Sequence, residues 1–388
     1  MVFTHLASRR AHLARENILR ALTKRIDAVP GGINLGQGVC DLDMPSPLRE
    51  GALRSLREDR ATYTPFAGIP ELREAIAARM ATQGLPYGPD EIVVTLGSSA
   101  AFSAVLLTLV EPGDEVVLFE PFYSYHQAGI PLAGGVPRYV RLEAPDFRFD
   151  PAALRAVLSE RTRAVVVNTP GNPSGKVWSR EELRALAEVL RGTQVAVISD
   201  EVYEYMVYDG REHVPPASLP ELRDRCVTLG GLSKTYSITG WRLGWLAAPK
   251  EFAYAAGVVF DTLAVCAPRP LQVGAAQALR ELPPSFYTEL SADYQRRRDV
   301  LVGGLREGGF QVWQPQGAYY VLAGYEGVLG APDATAACYE LIERARIAGV
   351  PADSFYRPGS AVRALRFHFA VREPVLREAA QRFAAFRR

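Results

Sequence analysis

Between residues 90 and 250 short apolar runs alternate with stretches whose apolar side chains recur every three or four positions. Residues 91–96, 116–119, 136–142, 163–167, 195–199 and 226–229 read as strands, and a further apolar run spans 243–248. Residues 100–110, 150–158 and 180–190 read as helices between them. This alternation predicts an α/β fold with a doubly wound, mostly parallel sheet. Upstream, Leu13, Ile18, Leu22 and Ile26 give helical spacing over 8–28, and residues 50–58 read as another helix. Pro70 opens a third, as a first-turn proline does. Beyond Pro249 helical patterns cover 251–259, 271–282 and 286–306. Strand patterns at 319–323, 349–351 and 364–370 and helices at 337–348 and 374–387 follow, which predicts a smaller α+β domain. The expected division is an N-terminal arm with part of the small domain at 1–45, a large domain at 46–280 and the small domain at 281–388.

Composition narrows the function. The chain has 388 residues, 48% hydrophobic and 22% charged, enough for two or three domains with a large core. A net charge of +1 leaves no electrostatic footprint for nucleic acid or an anionic membrane, so a small-molecule substrate is expected. No apolar run approaches the roughly 20 residues of a membrane span. Cys40, Cys226, Cys266 and Cys338 form no C-x-x-C pair, which speaks against zinc and for a reducing cytoplasm. The Arg- and Ala-rich start lacks the apolar core of a secretory signal, and Glu16 and Asp27 speak against an organellar one.

Candidate chemistry gathers at strand ends. Ser98, Tyr123, Asn172, Asp200 and Lys234 each follow an expected strand, where open α/β sheets bind their ligands. Gly97, Ser98 and Ser99 open a helix, a common anion site. Tyr123 sits in an aromatic cluster, which is core in most proteins and a stacking surface in some. The loop 168–175 is turn-rich and by itself implies no more than a turn. Asp200 follows an apolar run and needs a cationic partner there. Lys234 lies among small and hydroxyl residues, Ser233 among them, with Arg242 eight residues on. A lone lysine is commonly a solvated charge, but a buried one can lose its proton and attack an aldehyde. Arg366 shares a strand face with His368, where it is either an exposed charge or a carboxylate fork.

Together the motifs resemble one family. S-K-T-x-S-x-T-G-W-R-x-G-W at 233–245, N-x-P-x-N-P-S-G at 168–175, D-E-x-Y at 200–203, Y-x-P-x-x-G-x-x-x-L-R at 63–73 and N-L-G-Q-G at 34–38 resemble the class I/II aminotransferases, pyridoxal-phosphate (PLP) enzymes of fold type I. The resemblance implies that Lys234 carries the cofactor as a Schiff base, an aldimine, and serves as the base. It puts Asp200 on the ring nitrogen, Tyr203 and Asn172 on the ring oxygen, and Tyr123 on the ring face. Ser98, Ser99, Ser233, Arg242 and Tyr63 from a neighbouring subunit take the phosphate. Gly38, Asn172 and Arg366 meet the substrate carboxylate. The implied enzyme moves an amino group from an L-amino acid to a 2-oxo acid, as a cytoplasmic homodimer with shared sites. LGQG and the run Gly317-Ala318-Tyr319-Tyr320 are similar to the kynurenine/glutamine/methionine-type subgroup. Gly231 departs from the pattern, since the family usually has a phosphate-binding serine there. A β-eliminating PLP lyase would use the same residues. A non-catalytic PLP sensor is the third reading, but such regulators carry an N-terminal DNA-binding domain, for which there is no room before Ile33.

Overall fold

The apolar runs between residues 91 and 248 become one sheet. The computed structural model describes residue 8 and residues 18–58, 60–85 and 87–387. After a two-residue strand β1 (Ile33–Asn34), the chain forms β2 (Ile92–Thr95), β3 (Glu115–Glu120), β4 (Val136–Arg141), β5 (Thr162–Asn168), β6 (Ala196–Asp200), β7 (Cys226–Gly231) and β8 (Gly244–Ala247). They lie in the order β2-β8-β7-β6-β5-β3-β4. Only β8 runs against its neighbours; the other pairings are parallel. The carboxyl ends of β2, β3, β5, β6 and β7 therefore share one edge, and so does the start of β8. The chain steps outward from β3 to β4, then returns through β5, β6 and β7, so the topological switch lies between β3 and β5.

Side-chain alternation fills a core on each face. Along β5, Val165 and Val167 join one core while Ala164 and Val166 join the other. The first core takes Leu72 and Ile76 from the helix Pro70–Ala81 and Leu183 and Leu186 from Arg180–Leu190. The second takes Phe102 and Val105 from Ser98–Leu109 and Ala256 and Phe260 from Lys250–Ala264. The sheet is thus the middle of three layers.

The C-terminal part forms β9 (Gln311–Trp313), β10 (Tyr320–Gly324), β11 (Ile347–Ala348), β12 (Val350–Pro351) and β13 (Ala364–His368). Four of them make an antiparallel sheet in the order β12-β13-β10-β9, while β11 pairs in parallel with β1. Leu22, Ile26 and Leu35 share a core with Leu301, Phe367 and Phe383, and this core extends to Val202, Tyr203 and Met206 just after β6. The smaller sheet's core therefore closes onto the carboxyl-end edge of the larger one.

The structure differs from expectation at several points. The first helix is described over Ile18–Asp27; residues 9–17 of the expected stretch lie outside the described residues. The helix expected to 348 ends at Ala345, because Arg346 turns left-handed (φ 54°) and the next two residues pair as β11. A helix over Ser124–Leu132 was not expected; it buries only His126 and Ile130 and holds Pro131, so no apolar stripe announces it. β1, β9 and β11 are too short for a periodic signal. Among the described residues no helix is long and apolar enough to cross a membrane, and no acidic, His or Cys cluster could hold a metal ion.

Candidate active site

The shared edge opens on a cavity of about 210 Å3 between the two sheets. Ser98, Tyr123, Asn172, Asp200, Tyr203 and Lys234 line it from the large sheet, and Gly38, Tyr320, Phe355 and Arg366 from the other side. Asp200 is the last residue of β6, on the same face as Ile198. It is buried, and its Oδ2 lies 2.9 Å from Nε2 of buried His126. The His126 ring sits between Phe102 (4.6 Å) and a perpendicular Tyr123 (5.2 Å). The acid thus has a partner inside the protein, on the helix that the sequence did not announce.

The loop after β5 is tied to the end of β6. Asn168 Nδ2 donates to the Asp200 carbonyl (3.0 Å), and its Oδ1 accepts from the Asn172 amide (2.7 Å). Asn172 Oδ1 in turn accepts from Arg366 Nη1 (2.9 Å), whose Nη2 donates to the Gly36 carbonyl (2.7 Å). Arg366 is only 4% exposed, which removes the reading as a surface charge. Its guanidinium lies between the rings of Tyr320 (4.3 Å) and Phe355 (4.8 Å), and its buried Nε has no acceptor among the described residues. A buried donor left open on a cation beside a cavity is a seat for an anion.

Lys234 Nζ donates to the Gly38 carbonyl (3.3 Å), which also accepts from the Tyr319 hydroxyl (3.0 Å). Gly38 has to be glycine, because a Cβ there would lie 2.1 Å from the Tyr320 hydroxyl. Tyr203 donates to Tyr320 across 3.3 Å. Burial pushes the Tyr203 hydroxyl well above its usual range, so it stays protonated at neutral pH. Beneath the lysine, burial pushes the Cys40 thiol up, and burial with the Arg366 charge holds His368 down to about 3, so both are neutral.

The turn at Gly97 carries the remaining candidates. Gly97 adopts φ +79°, and a Cβ there would strike Arg242 Nη2 at 2.7 Å. A Cβ at Gly244 would come within 2.5 Å of the Ser98 amide. The two glycines let Arg242 and the start of the helix Ser98–Leu109 close on each other, and the first-turn amides of a helix have no acceptor within it. Arg242 reaches this edge because β8 runs backward. Ser99 opens on an adjoining cavity of about 130 Å3 that Ser98, Tyr123 and Asp200 also line.

Not every candidate reaches the main cavity. Ser99, Ser233, Arg242 and Tyr63 do not line it. Ser233 is buried, its carbonyl accepting from the Ile238 amide (3.1 Å). Tyr63 is 82% exposed, so it does not pack at its own loop. At Gly231 a side chain would meet Val202 Cγ1 at 3.3 Å, so Val202 already crowds the space a serine would enter. Sequence reasoning missed His126, Asn168, Tyr320 and Phe355. Asn168 could have been found, since it opens the N-x-P-x-N-P-S-G loop at a strand end.

The family described as aminotransferase class I and II matches residues 30–383. The chain belongs to that family. The methionine aminotransferase of Escherichia coli is 36% identical over 354 residues, covering 90% of this chain and 91% of the relative. The aspartate aminotransferase of Rhizobium meliloti is 35% identical, covering 91% and 88%. Among solved structures, the N-succinyldiaminopimelate aminotransferase from Mycobacterium tuberculosis superposes with a TM-score of 0.93 at 33% identity, covering 98% of this chain and 100% of the other. The methionine aminotransferase from Escherichia coli gives 0.89 at 34%, covering 95% of each. The aminotransferase is therefore an enzyme of PLP fold type I that acts with pyridoxal phosphate.

Proposed function

We propose that the cavity between the sheets is the transamination site and that Lys234 is its catalytic residue. The observation that carries this reading is one of convergence: a lysine, a His-paired carboxylate and a guanidinium with an open Nε meet on one cavity. The donor set fits pyridoxal phosphate. Asp200 offers a buried anion for the ring nitrogen, with His126 holding it from behind. Tyr203 and Asn172 offer a hydroxyl and an amide for the ring oxygen, and Tyr123 a flat face. The helix start at Ser98 and Ser99, with Arg242 beside it, offers positive charge for the phosphate.

When bound, the cofactor supplies an aldehyde that captures amines and a ring that accepts electrons from the substrate Cα. Lys234 would hold the cofactor aldehyde through Nζ and, when its amine is free, would serve as the base that moves the Cα proton. Its present hydrogen bond to the Gly38 carbonyl keeps Nζ at the cavity wall. Arg366 orients the substrate carboxylate through Nε, while Asn172 and Gly36 fix the rest of its fork. Asp200 would hold a proton on the ring nitrogen by its charge.

The partner is a second copy of the chain. The exposure of the large apolar side chains Leu53, Leu56, Tyr63, Tyr254 and Leu263 supports this, and Tyr254 lies edge-on to Phe66 (6.0 Å) in the Tyr63 loop. Tyr63, exposed on its own chain, would reach the neighbour's phosphate site. The four cysteines are free, in keeping with the cytoplasm. The domains divide at 1–45, 46–280 and 281–388, in keeping with the core that Leu22 to Leu35 share with Leu301 to Phe383.

Borohydride reduction of the yellow holoenzyme should fix the cofactor on Lys234, and Lys234→Ala should abolish exchange between an amino acid and a 2-oxo acid. Labelling of another lysine, or release of pyruvate and ammonia with no acceptor, would replace this reading. Mixing Lys234→Ala chains with Tyr63→Ala chains should restore some activity in hybrids; a fully active monomer would remove the shared site.

A further inference from the structure

We propose that Tyr320 is a positioning residue that joins the carboxylate seat to the hydroxyl offered to the ring oxygen: its ring face holds the Arg366 guanidinium, and its hydroxyl oxygen competes for the Tyr203 proton. This rests on the function proposed above. Tyr320 opens β10, lies buried and lines the cavity. Arg366 Cζ stands 4.3 Å from the centre of its ring. Its hydroxyl accepts from the Tyr203 hydroxyl at 3.3 Å, with the two rings nearly perpendicular at 5.9 Å. That hydroxyl also fills the space beside Gly38, whose carbonyl accepts from Lys234. One side chain therefore touches the residues assigned to the substrate carboxylate and to the ring oxygen, and the glycine that holds the lysine.

The backbone keeps the ring there. The Gln316 and Gly317 amides donate to the Gly175 carbonyl (2.9 and 2.8 Å), and the Ala318 amide to the Met206 carbonyl (2.9 Å). Ala318 is buried with φ 54°, a conformation an alanine keeps only where its surroundings hold it. The segment before Tyr320 is thus tied to the loops that carry Asn172 and Tyr203. The negative face of the tyrosine ring attracts the guanidinium, the more so because both are buried. The hydroxyl acts differently. Tyr203 has one proton to donate, and Tyr320 and a ring oxygen are two acceptors for it. At 3.3 Å the bond to Tyr320 is long for a pair of hydroxyls, which leaves the donor divided between the two.

The test uses the holoenzyme and separates ring from hydroxyl. Tyr320→Phe keeps the ring, so 4-methylpentanoate, a carboxylate with no amine, should bind by calorimetry within about threefold of the natural chain. Tyr320→Leu removes the ring, and the Kd should rise about tenfold or more. In Tyr320→Phe the Tyr203 proton belongs to the ring oxygen alone, which favours the form of the chromophore with more negative charge there. The pH midpoint of the visible absorbance should therefore fall by about 0.5. Because Tyr320 acts through Tyr203, the same change made in a Tyr203→Phe chain should leave that chain's midpoint in place. A midpoint that stays or rises in Tyr320→Phe, an equal fall in both backgrounds, or a Kd that Tyr320→Leu leaves unchanged would overturn the inference. A natural chain that takes up no cofactor, in which Tyr320→Leu still weakens the carboxylate, would overturn the proposed function and leave the hold of Tyr320 on Arg366 standing.

Discussion

Two carboxylate–histidine pairs stand back to back at the end of β6. Asp200 Oδ2 lies 2.9 Å from His126 Nε2, and Glu201 Oε2 lies 2.7 Å from His213 Nε2, all four side chains buried. The two acids are consecutive, so strand alternation sends them to opposite faces. Their distances and burial barely differ, yet their surroundings do. Asp200 opens on the cavity with Tyr123, Asn172 and Lys234. Glu201 faces the filled core of the other side, where Thr228 donates to its Oε1 (3.4 Å) and its charge adds to burial in pushing the Cys226 thiol and the Tyr87 hydroxyl up. A buried acid with a histidine is therefore not in itself a site. Space for a ligand beside it, with complementary groups on the far wall, is what separates the two.

The largest effect that tests this contrast is on turnover. Asp200→Asn keeps the shape and removes the charge, so kcat should fall by about a hundredfold, roughly 2.7 kcal/mol, with KM little changed. An unchanged kcat per active site would reduce Asp200 to a structural pair like its neighbour. Removing the histidine should matter less: His126→Phe leaves the carboxylate in place with only the Val202 amide (3.5 Å) on Oδ1, and kcat should drop about tenfold. The matching His213→Phe should leave kcat per folded site alone. On the closed face the expected effect is on stability, with Glu201→Gln lowering it by about 1 to 2 kcal/mol in thermal melts. A hundredfold loss of turnover there would erase the distinction between the faces.

The same contrast shows what the sequence could reveal. The open pair's acid was legible, because the apolar run 195–198 ends in Ser199 and a change to acids. Ser98, Tyr123, Asn172 and Lys234 were legible for the same reason: each follows a strand that its neighbours announce. The histidines were not. His126 lies on Ser124–Leu132, a helix with two buried residues and no stripe, and His213 reaches Glu201 from a loop. Arg366 could be read as fork or surface charge until tertiary packing set Tyr320 and Phe355 against it. Arg242 depended on the reversed direction of β8, which periodicity does not encode. Tyr63 shows the opposite limit, since its expected role lies on a surface that one chain leaves open.

The smallest effect concerns Glu204, three residues beyond Glu201 on the way out of the sheet. Its Oε2 accepts from Gln83 Nε2 (2.8 Å). Burial pushes its carboxyl up to about 7 from an ordinary 4.5; the Glu201 charge adds to this, while Gln83, His213 and Arg79 oppose it. The folded chain therefore binds the Glu204 proton more tightly than the unfolded chain does. The resulting stability is fully present below about pH 4.5 and is lost as the pH rises through about 7. Glu204→Gln mimics the protonated form at every pH. It should match the natural chain near pH 4.5 and exceed it at pH 8 by about 1 to 2 kcal/mol, allowing for the water that reaches this half-buried group. Because Glu201 supplies part of the upward push, Glu201→Gln should move the midpoint of this pH dependence downward. Thermal melts of the three chains from pH 4.5 to 8 read both effects. A gap between the natural chain and Glu204→Gln that is the same at both ends would show that the Glu204 proton plays no part. A midpoint unmoved by Glu201→Gln would show that the closed pair does not act on its neighbour through charge.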